Sequence, residues 1–148
     1  MKTHVPSLLL LPILLLAAHA RAEPQTHYHA SPGNGNLPFS EAVQVGDMLY
    51  LSGKLGVDPK TGKLAEGGIS GETRQIMKSI QAALDRYGSS IQQVVKCTVY
   101  LADIKEWAEM NEVYRTFFRR NPPARSAVEV SALGLGARVE IECMATMK

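Results

Sequence analysis

PPARSAVEV at residues 122–130 and ARVEIEC at residues 137–143 decide the fold, because apolar and polar side chains alternate in both stretches. A period of two is typical of β-strands that bury one face. Gly134 and Gly136 lie between the two stretches and permit a reversal of the chain. We therefore predict two paired strands in which Arg125 and Glu140 share the polar face, with the small Ala127 between them.

A guanidinium beside a carboxylate on one face of a strand pair has two interpretations. Arg125 can capture a small acid while Glu140 handles a proton or a water molecule. The same spacing is also typical of a cross-strand ion pair on a solvated surface, and spacing alone favours this second interpretation. Both interpretations stay open at this point.

The first 22 residues have the features of a secretory signal peptide. Lys2 and His4 precede an apolar run at residues 8–18, and Ala20-Arg21-Ala22 provides a small-x-small cleavage pattern. The apolar run is short for a transmembrane helix, which needs about 20 residues, although an uncleaved amphiphilic anchor is an alternative. We expect a mature chain that begins near Glu23, is periplasmic or secreted, and is free of the membrane after cleavage.

The remaining chain, residues 23–148, has the size of one domain. The formal net charge of the full 148-residue chain is +2, and no basic run is present that would follow a phosphate backbone, so the composition does not imply a nucleic-acid partner. No Cys or His cluster has metal-ligand spacing, and we expect no metal. Cys97 and Cys143 both fall in alternating apolar stretches, which favours two small buried side chains, with a disulfide as the less favoured alternative.

The periodicity of residues 38–148 predicts the element order ββαβαββ, preceded by a flexible leader at residues 23–37. This order implies an α+β domain with two helices on one face of a mostly antiparallel sheet. The other face of the sheet is too mixed for a core, so we expect a further subunit to cover it. The predicted elements are strands at 42–45 and 48–52, a helix from the N-cap Ser70 to Tyr87, a strand at 95–101, a helix that begins with the capping box Asp103/Glu106 and ends before Asn121, and the two C-terminal strands.

Seven short motifs occur in order between Pro38 and Ala145, and together they resemble those of the Rid proteins, the reactive intermediate deaminases of YjgF type. Each motif is weak by itself, and the set is specific through its order and spacing. The motifs are PFSEA at 38–42, LSG at 51–53, DPKTG at 58–62, VVKCTV at 94–99, MNEVY at 110–114, PARS at 123–126 and VEIE at 139–142.

This resemblance implies a chorismate-mutase-like fold that assembles as a homotrimer, with the sheets forming a central barrel and the sites lying between adjacent subunits. It also implies hydrolysis of small 2-imino or enamino acids to 2-keto acids and ammonia, without a metal or an organic cofactor. A non-catalytic small-carboxylate-binding or interaction module on the same scaffold is the alternative, since an exported protein meets other substrates than a cytosolic one.

The resemblance also implies roles for five residues. Arg125 binds the substrate carboxylate, and Glu140 orients the attacking water. Asn111 supports the site by hydrogen bonds, Gly53 lies at the end of the second strand, and the backbone near Ala127 completes the water site.

Three positions depart from the pattern of the family. Phe39 replaces a tyrosine, so it keeps an apolar contact to the substrate but lacks the hydroxyl. Lys54 stands where many members have glutamine, and we expect it to add a charge near the cleft. Ala127 stands where some members have cysteine. None of the three changes removes Arg125 or Glu140.

Overall fold

The structure, a computed structural model, describes residues 23–32 and 37–148, which form a seven-stranded sheet with two α-helices on one face. The predicted signal peptide and residues 33–36 of the leader lie outside the described residues. The strands are β1 (Thr26–His29), β2 (Ala42–Val45), β3 (Met48–Leu51), β4 (Lys54–Leu55), β5 (Val94–Leu101), β6 (Ala124–Glu129) and β7 (Val139–Thr146). The helices are α1 (Gly68–Arg86) and α2 (Trp107–Tyr114), and short 3₁₀ turns occupy Ile91–Gln93, Ile104–Glu106 and Gly134–Gly136.

The strand order is β1-β2-β3-β7-β5-β6, with β4 also paired to β7. Every pair is antiparallel except β5–β6, which is parallel. The predicted α+β class, with two helices on one face of a mostly antiparallel sheet, is therefore confirmed. β1 and β4 are additions to the predicted order.

The leader was predicted to be flexible, and this is wrong for Thr26–His29. These residues pair with β2 in antiparallel register, so their backbone groups are satisfied by the sheet. The His29 ring also stacks on Tyr87 at the end of α1, with ring centroids 4.4 Å apart. The polar composition of the segment did not indicate this strand, because the stability of the strand depends on main-chain pairing.

The two C-terminal strands do not pair with each other, so the predicted strand pair is wrong. β5 lies between them, parallel to β6 and antiparallel to β7. Parallel strands need a crossover connection of a dozen or more residues. Residues 102–123, which include α2, provide that connection and carry β6 to the far side of β5.

The core lies between the sheet and α1. Alternate residues of β5 and β7, including Val99, Leu101 and Ile141, are fully buried against the helices. The apolar side of α1 completes this core through Ile76, Ile80 and Leu84, among others. No helix within the described residues combines the length and apolar character that crossing a lipid bilayer requires.

Each helix differs from its prediction at one end: α1 at its first residues and α2 at its C-terminal end. Ser70 does not cap α1, because the helix begins at Gly68 after the left-handed Gly67, and the Ser70 hydroxyl donates instead to Glu109 on α2. α2 ends at Tyr114, well before Asn121. The chain from there to β6 is irregular, and this shorter helix leaves a cleft beside β6.

Cys97 and Cys143 are directly opposed on β5 and β7 and form a disulfide, with their Cα atoms 4.1 Å apart. Their predicted burial is confirmed, since both are at most 1% exposed. The favoured interpretation of two free thiols is wrong, because the register places the two sulfurs on the same face and adjacent.

Candidate functional site

The register of the sheet decides which side chains share a face, because aligned residues of neighbouring strands point to the same side. Arg125 is aligned with Cys97, which is buried beneath the helices. Glu140 is aligned with Tyr100, which lies on the face without helices. The prediction that Arg125 and Glu140 share a polar face is therefore wrong.

The error lies in β6, whose alternation has the opposite phase to the predicted one. β6 is the last strand of the sheet order, so its helix-side positions are only partly covered and accept the long polar Arg125. Val128, which was expected in the core, lies on the other face and is 44% exposed.

Arg125 and Glu140 do not form an ion pair. Their strands are separated by β5, which puts their backbones about 10 Å apart across the sheet. Their aligned partners on β5, Cys97 and Tyr100, lie three residues apart, which adds about 10 Å along the strands. Neither side chain makes a salt bridge to any residue that the structure describes. The interpretation as a cross-strand ion pair is therefore also wrong.

Arg125 instead lines an open cleft of about 350 Å³ between α2 and β6. Asn111 lines the same cleft, so two of the predicted site residues are brought together. The cleft is lined by Asn111, Tyr114, Arg115, Pro122, Pro123 and Arg125.

The aromatic ring of Tyr114 packs against the guanidinium of Arg125. The Arg125 Cζ atom lies 4.7 Å from the centre of the Tyr114 ring and 5.8 Å from that of Trp107, which places the cation over two aromatic faces. Tyr114 is 5% exposed, and its hydroxyl has no hydrogen-bond partner among residues 23–32 and 37–148. Burial raises the pKa of Tyr114 to about 12, although the charge of Arg125 acts to lower it. Tyr114 is therefore a neutral aromatic support and is unsuited to act as a base near neutral pH.

Gly53 makes room for the carboxylate of Glu140. A Cβ atom on residue 53 would overlap Glu140 Oε1 and would lie 2.9 Å from Cδ. Any residue larger than glycine would displace the carboxylate. The structure thus brings together a second pair of predicted site residues, on the face without helices.

Phe39 belongs to the segment that runs beside Gly53. The Ser52 hydroxyl donates to the Ser40 carbonyl at 2.7 Å, and the Ser52 N–H donates to the Glu41 carbonyl at 3.0 Å. These two bonds hold the carbonyl groups of residues 40 and 41 against Ser52, the residue that precedes Gly53. The Phe39 side chain is 56% exposed and available for contact.

The six predicted site residues therefore form two groups within one chain. Ala127 follows Arg125 by two residues on β6 and is aligned with the buried Val99, so it lies on the helix side. The first group comprises Arg125, Asn111 and Ala127, and the second comprises Phe39, Gly53 and Glu140.

Lys54 does not line the cleft that contains Arg125. It is aligned with the buried Ile141, and its Nζ atom donates to Glu41 Oε1 at 2.7 Å. Glu41 Oε2 accepts from Arg86 and from the Tyr87 hydroxyl, both at 2.6 Å. Burial acts to raise the pKa of Glu41, but the hydrogen bonds from Lys54 and Tyr87 and the charges of Lys54 and Arg86 outweigh it, so the pKa lies below its ordinary value.

The face without helices carries exposed apolar residues. Tyr50, Val128 and Met144 are 40%, 44% and 36% exposed, respectively. The Tyr100 hydroxyl donates to Glu142 on the same face at 3.2 Å. Apolar groups that surround a small polar network are typical of a surface that another subunit covers.

Two contributors to the cleft were missed by reasoning from the sequence. Tyr114 was named only as part of the motif at 110–114, and Arg115 received no role. Helical spacing could have indicated both residues, because positions three and four after Asn111 lie on the same side of the helix as Asn111. Among residues 23–32 and 37–148, no group of three His, Cys, Asp or Glu side chains is placed to hold a metal ion.

The chain is similar to known proteins in sequence and in fold. Residues 32–147 match the family described as Endoribonuclease L-PSP. The human protein named 2-iminobutanoate/2-iminopropanoate deaminase is 44% identical over 108 residues, which are 73% of this chain and 79% of that protein. A RutC family protein of Pyrococcus horikoshii is also 44% identical over 108 residues, covering 73% of this chain and 86% of its own. The crystal structure of YyfA, a Rid-family protein from Yersinia pestis, superposes with a TM-score of 0.77 at 36% identity and covers 83% of this chain and all of that chain.

Proposed function

Because this chain belongs to the endoribonuclease L-PSP family, which includes the Rid (YjgF-type) proteins, we propose that it hydrolyses small 2-imino acids to 2-keto acids and ammonia. The observation that carries this proposal is the Arg125 guanidinium, which has no acidic partner within the described residues and lines an open cleft over an aromatic support. Relatives that are 44% identical bear the name of this activity.

Arg125 is suited to hold the carboxylate of the substrate. A guanidinium presents parallel N–H groups that match a carboxylate in a bidentate arrangement. Since Tyr114 and Trp107 restrict the position of this guanidinium without neutralising it, the group is arranged for an incoming anion. Asn111 lies in the same cleft and can donate a further hydrogen bond.

Glu140 is suited to handle the water. Water adds to the carbon of the protonated C=N bond, and Glu140 takes a proton from that water. That proton then passes from Glu140 to the nitrogen. The C–N bond breaks as the C=O bond of the keto acid forms, and Glu140 accepts the remaining hydroxyl proton, which leaves with ammonia as ammonium. The reaction needs no redox step, and holding water and imine in place supplies most of the rate enhancement. Gly53 leaves the space in which this carboxylate sits.

We further propose that the protein is a homotrimer in which the Arg125 cleft of one copy faces the Glu140 group of a neighbour. This proposal is supported by the positions of Arg125 and Glu140 on opposite faces of one sheet and by the exposed apolar residues of the face without helices. A ring of three copies joined head to tail repeats the same interface three times, so it creates three equivalent sites.

We also propose that the protein is exported and works in the periplasm or outside the cell. The amino-terminal sequence supports this, as does the Cys97–Cys143 disulfide, because disulfides persist in oxidising compartments. The mass of the protein recovered from the periplasm tests it. Loss of the first 20 to 22 residues is expected, and a full-length chain in the cytosol would contradict export.

The activity is tested with imines generated in the assay from 2-aminobutanoate or alanine by an amino-acid oxidase. Ammonia release should accelerate with the wild-type protein and stay near the uncatalysed rate with Arg125→Ala, while the exposed Arg119→Ala serves as the matched control. Equal rates for wild type and Arg125→Ala would contradict the proposal. Binding of 2-keto acids without any turnover would instead favour a carboxylate-binding module.

A further inference from the structure

The cleft that contains Arg125 holds a second guanidinium and no carboxylate. Arg115 contributes to its wall four residues after Asn111. The other lining residues are an amide, a neutral phenol and two prolines. The lining side chains therefore carry two positive charges, and a substrate with one carboxylate would neutralise one of them.

Arg115 is available to a ligand because its present contacts are weak. Its NH2 group lies 3.0 Å from Glu112 Oε1, but both side chains are more than two-thirds exposed. An exposed helical pair of this kind is screened by solvent and contributes little to stability. Its Nε group donates a long hydrogen bond of 3.4 Å to the carbonyl of Asn111, which keeps the stem of the side chain beside the cleft.

We propose that this site prefers 2-imino acids that carry a second carboxylate at the end of a short side chain. The inference rests on the proposed deaminase function and specifies its substrate class. Arg125 holds the carboxylate next to the imine, and Arg115 holds the distal one. The protonated imine group of the substrate is itself positive. A substrate with two carboxylates therefore matches a cleft with two guanidiniums better than a substrate with one.

The size and shape of the cleft agree with such a substrate. In a single chain the cleft is open and has a volume of about 350 Å³, so its walls do not exclude a side chain of two or three further carbons. Pro122 and Pro123 lie in its wall and have no N–H groups to offer, so Arg115 is the second cation that the lining provides for the distal carboxylate, beside the neutral amide of Asn111. The reaction is the hydrolysis described above: one water is added, one ammonia leaves, and the distal carboxylate is unchanged.

The test compares two five-carbon imines that differ only in the distal carboxylate. 2-Iminopentanedioate and 2-iminopentanoate are generated in the assay from glutamate and norvaline by amino-acid oxidases. In the wild-type protein, kcat/KM for the diacid should exceed that for the monoacid roughly tenfold, as expected for one charge-assisted hydrogen-bonding contact. This ratio should fall roughly tenfold in Arg115→Gln and stay at the wild-type value in Arg119→Gln.

A second variant tests the same idea in the opposite direction. Glu112→Gln removes the carboxylate that competes for Arg115, so the preference for the diacid should increase. A wild-type ratio near one, or a ratio that Arg115→Gln leaves unchanged, would overturn the inference while monoacid turnover still supports the proposed function.

Binding of the stable products separates this inference from catalysis. Calorimetric titration should show 2-oxopentanedioate binding roughly tenfold more tightly than 2-oxopentanoate, with the difference lost in Arg115→Gln. If no imine is hydrolysed faster than the background, the proposed function fails, and equal affinity for the two keto acids would then overturn the two-arginine site as well.

Discussion

Arg125 and Glu140 lie on opposite faces of one sheet, with β5 between their strands. A small imino acid bound by Arg125 therefore cannot reach Glu140 of the same chain, because the backbone of the sheet stands between them. Each chain carries two incomplete halves, one formed around Arg125 and Asn111 and the other around Glu140 and Gly53. The proposed function requires that one copy supplies the first half and another supplies the second.

Gly53→Ala should lower kcat/KM about a hundredfold, the cost expected when a catalytic group moves by about 1 Å. The added Cβ would overlap Glu140 Oε1 and force the carboxylate to move. Steady-state kinetics on an imine substrate measure the loss, and circular dichroism checks that the variant still folds.

A double-mutant cycle tests whether the loss acts through Glu140. In a Glu140→Ala background the carboxylate is absent, so adding Gly53→Ala should change the residual rate little. If the two losses multiply instead, Gly53 acts independently of Glu140.

Tyr114→Phe and Tyr114→Leu separate the ring from the hydroxyl. The hydroxyl is buried without a partner in the part of the chain that the structure describes, so its removal should leave activity intact and raise the free energy of unfolding by about 1 kcal/mol. Tyr114→Leu removes the ring under Arg125, which costs about 1 kcal/mol of cation–π interaction and should raise KM about fivefold. Urea unfolding and steady-state kinetics measure the two effects. A Tyr114→Phe protein that is less stable by 1 kcal/mol or more would show that the hydroxyl has a partner.

Reduction of the Cys97–Cys143 disulfide should lower the free energy of unfolding by about 2 to 4 kcal/mol, because the bond closes a loop with a sequence separation of 46. Urea unfolding with and without dithiothreitol measures this at a fixed protein concentration, since the stability of an oligomer depends on concentration. The Cys97→Ala/Cys143→Ala protein should not respond to the reductant. Two free thiols in protein prepared under oxidising conditions would contradict the disulfide.

Glu41 should contribute to stability in a pH-dependent way. Its pKa in the folded protein lies below the ordinary value of 4.5, so its contribution is complete above that value and is lost as the pH falls through the folded pKa. Glu41→Gln leaves Lys54 and Arg86 without their carboxylate and should cost about 2 to 3 kcal/mol at pH 7, less than a fully buried pair because Arg86 is partly exposed.

The difference between wild type and Glu41→Gln should shrink in urea titrations taken at successively lower pH below 4.5. Glu112→Gln, which breaks an exposed pair, serves as the control and should cost less than about 0.5 kcal/mol at any pH. A constant difference for Glu41→Gln across this range would contradict the lowered pKa.

The fold class was predictable because the helical and strand periods were clear in α1, β5 and β7. Pairing was not predictable, because alternation tells which residues share a face of a strand but not which strand lies next to it. β6 resembled a hairpin partner of β7 in its pattern, whereas the crossover through α2 makes it the parallel neighbour of β5. β1 was missed because its polar side chains are mostly exposed and its order depends on main-chain bonds.

Two pairs of the residues predicted for the site lie close together, but the arrangement of the two pairs was not predictable. Arg125 and Asn111 share a cleft, and Gly53 abuts Glu140. The Arg125 group and the Glu140 group lie apart in one chain because of the phase of the edge strand β6. A sequence pattern does not determine that phase. The ion pair between Lys54 and Glu41 was not predictable either, because the two residues are 13 positions apart in sequence.

The most direct test of the central claim mixes two inactive variants. Arg125→Ala and Glu140→Gln are unfolded together in equal amounts and refolded, so that their subunits exchange at random. If each site takes Arg125 from one copy and Glu140 from its neighbour, about one quarter of the interfaces in the mixed trimers contain both intact groups. The mixture should then recover about one quarter of the wild-type imine hydrolysis rate. A mixture that stays as inactive as either variant alone, although mixed trimers have formed, would contradict a site shared between two copies.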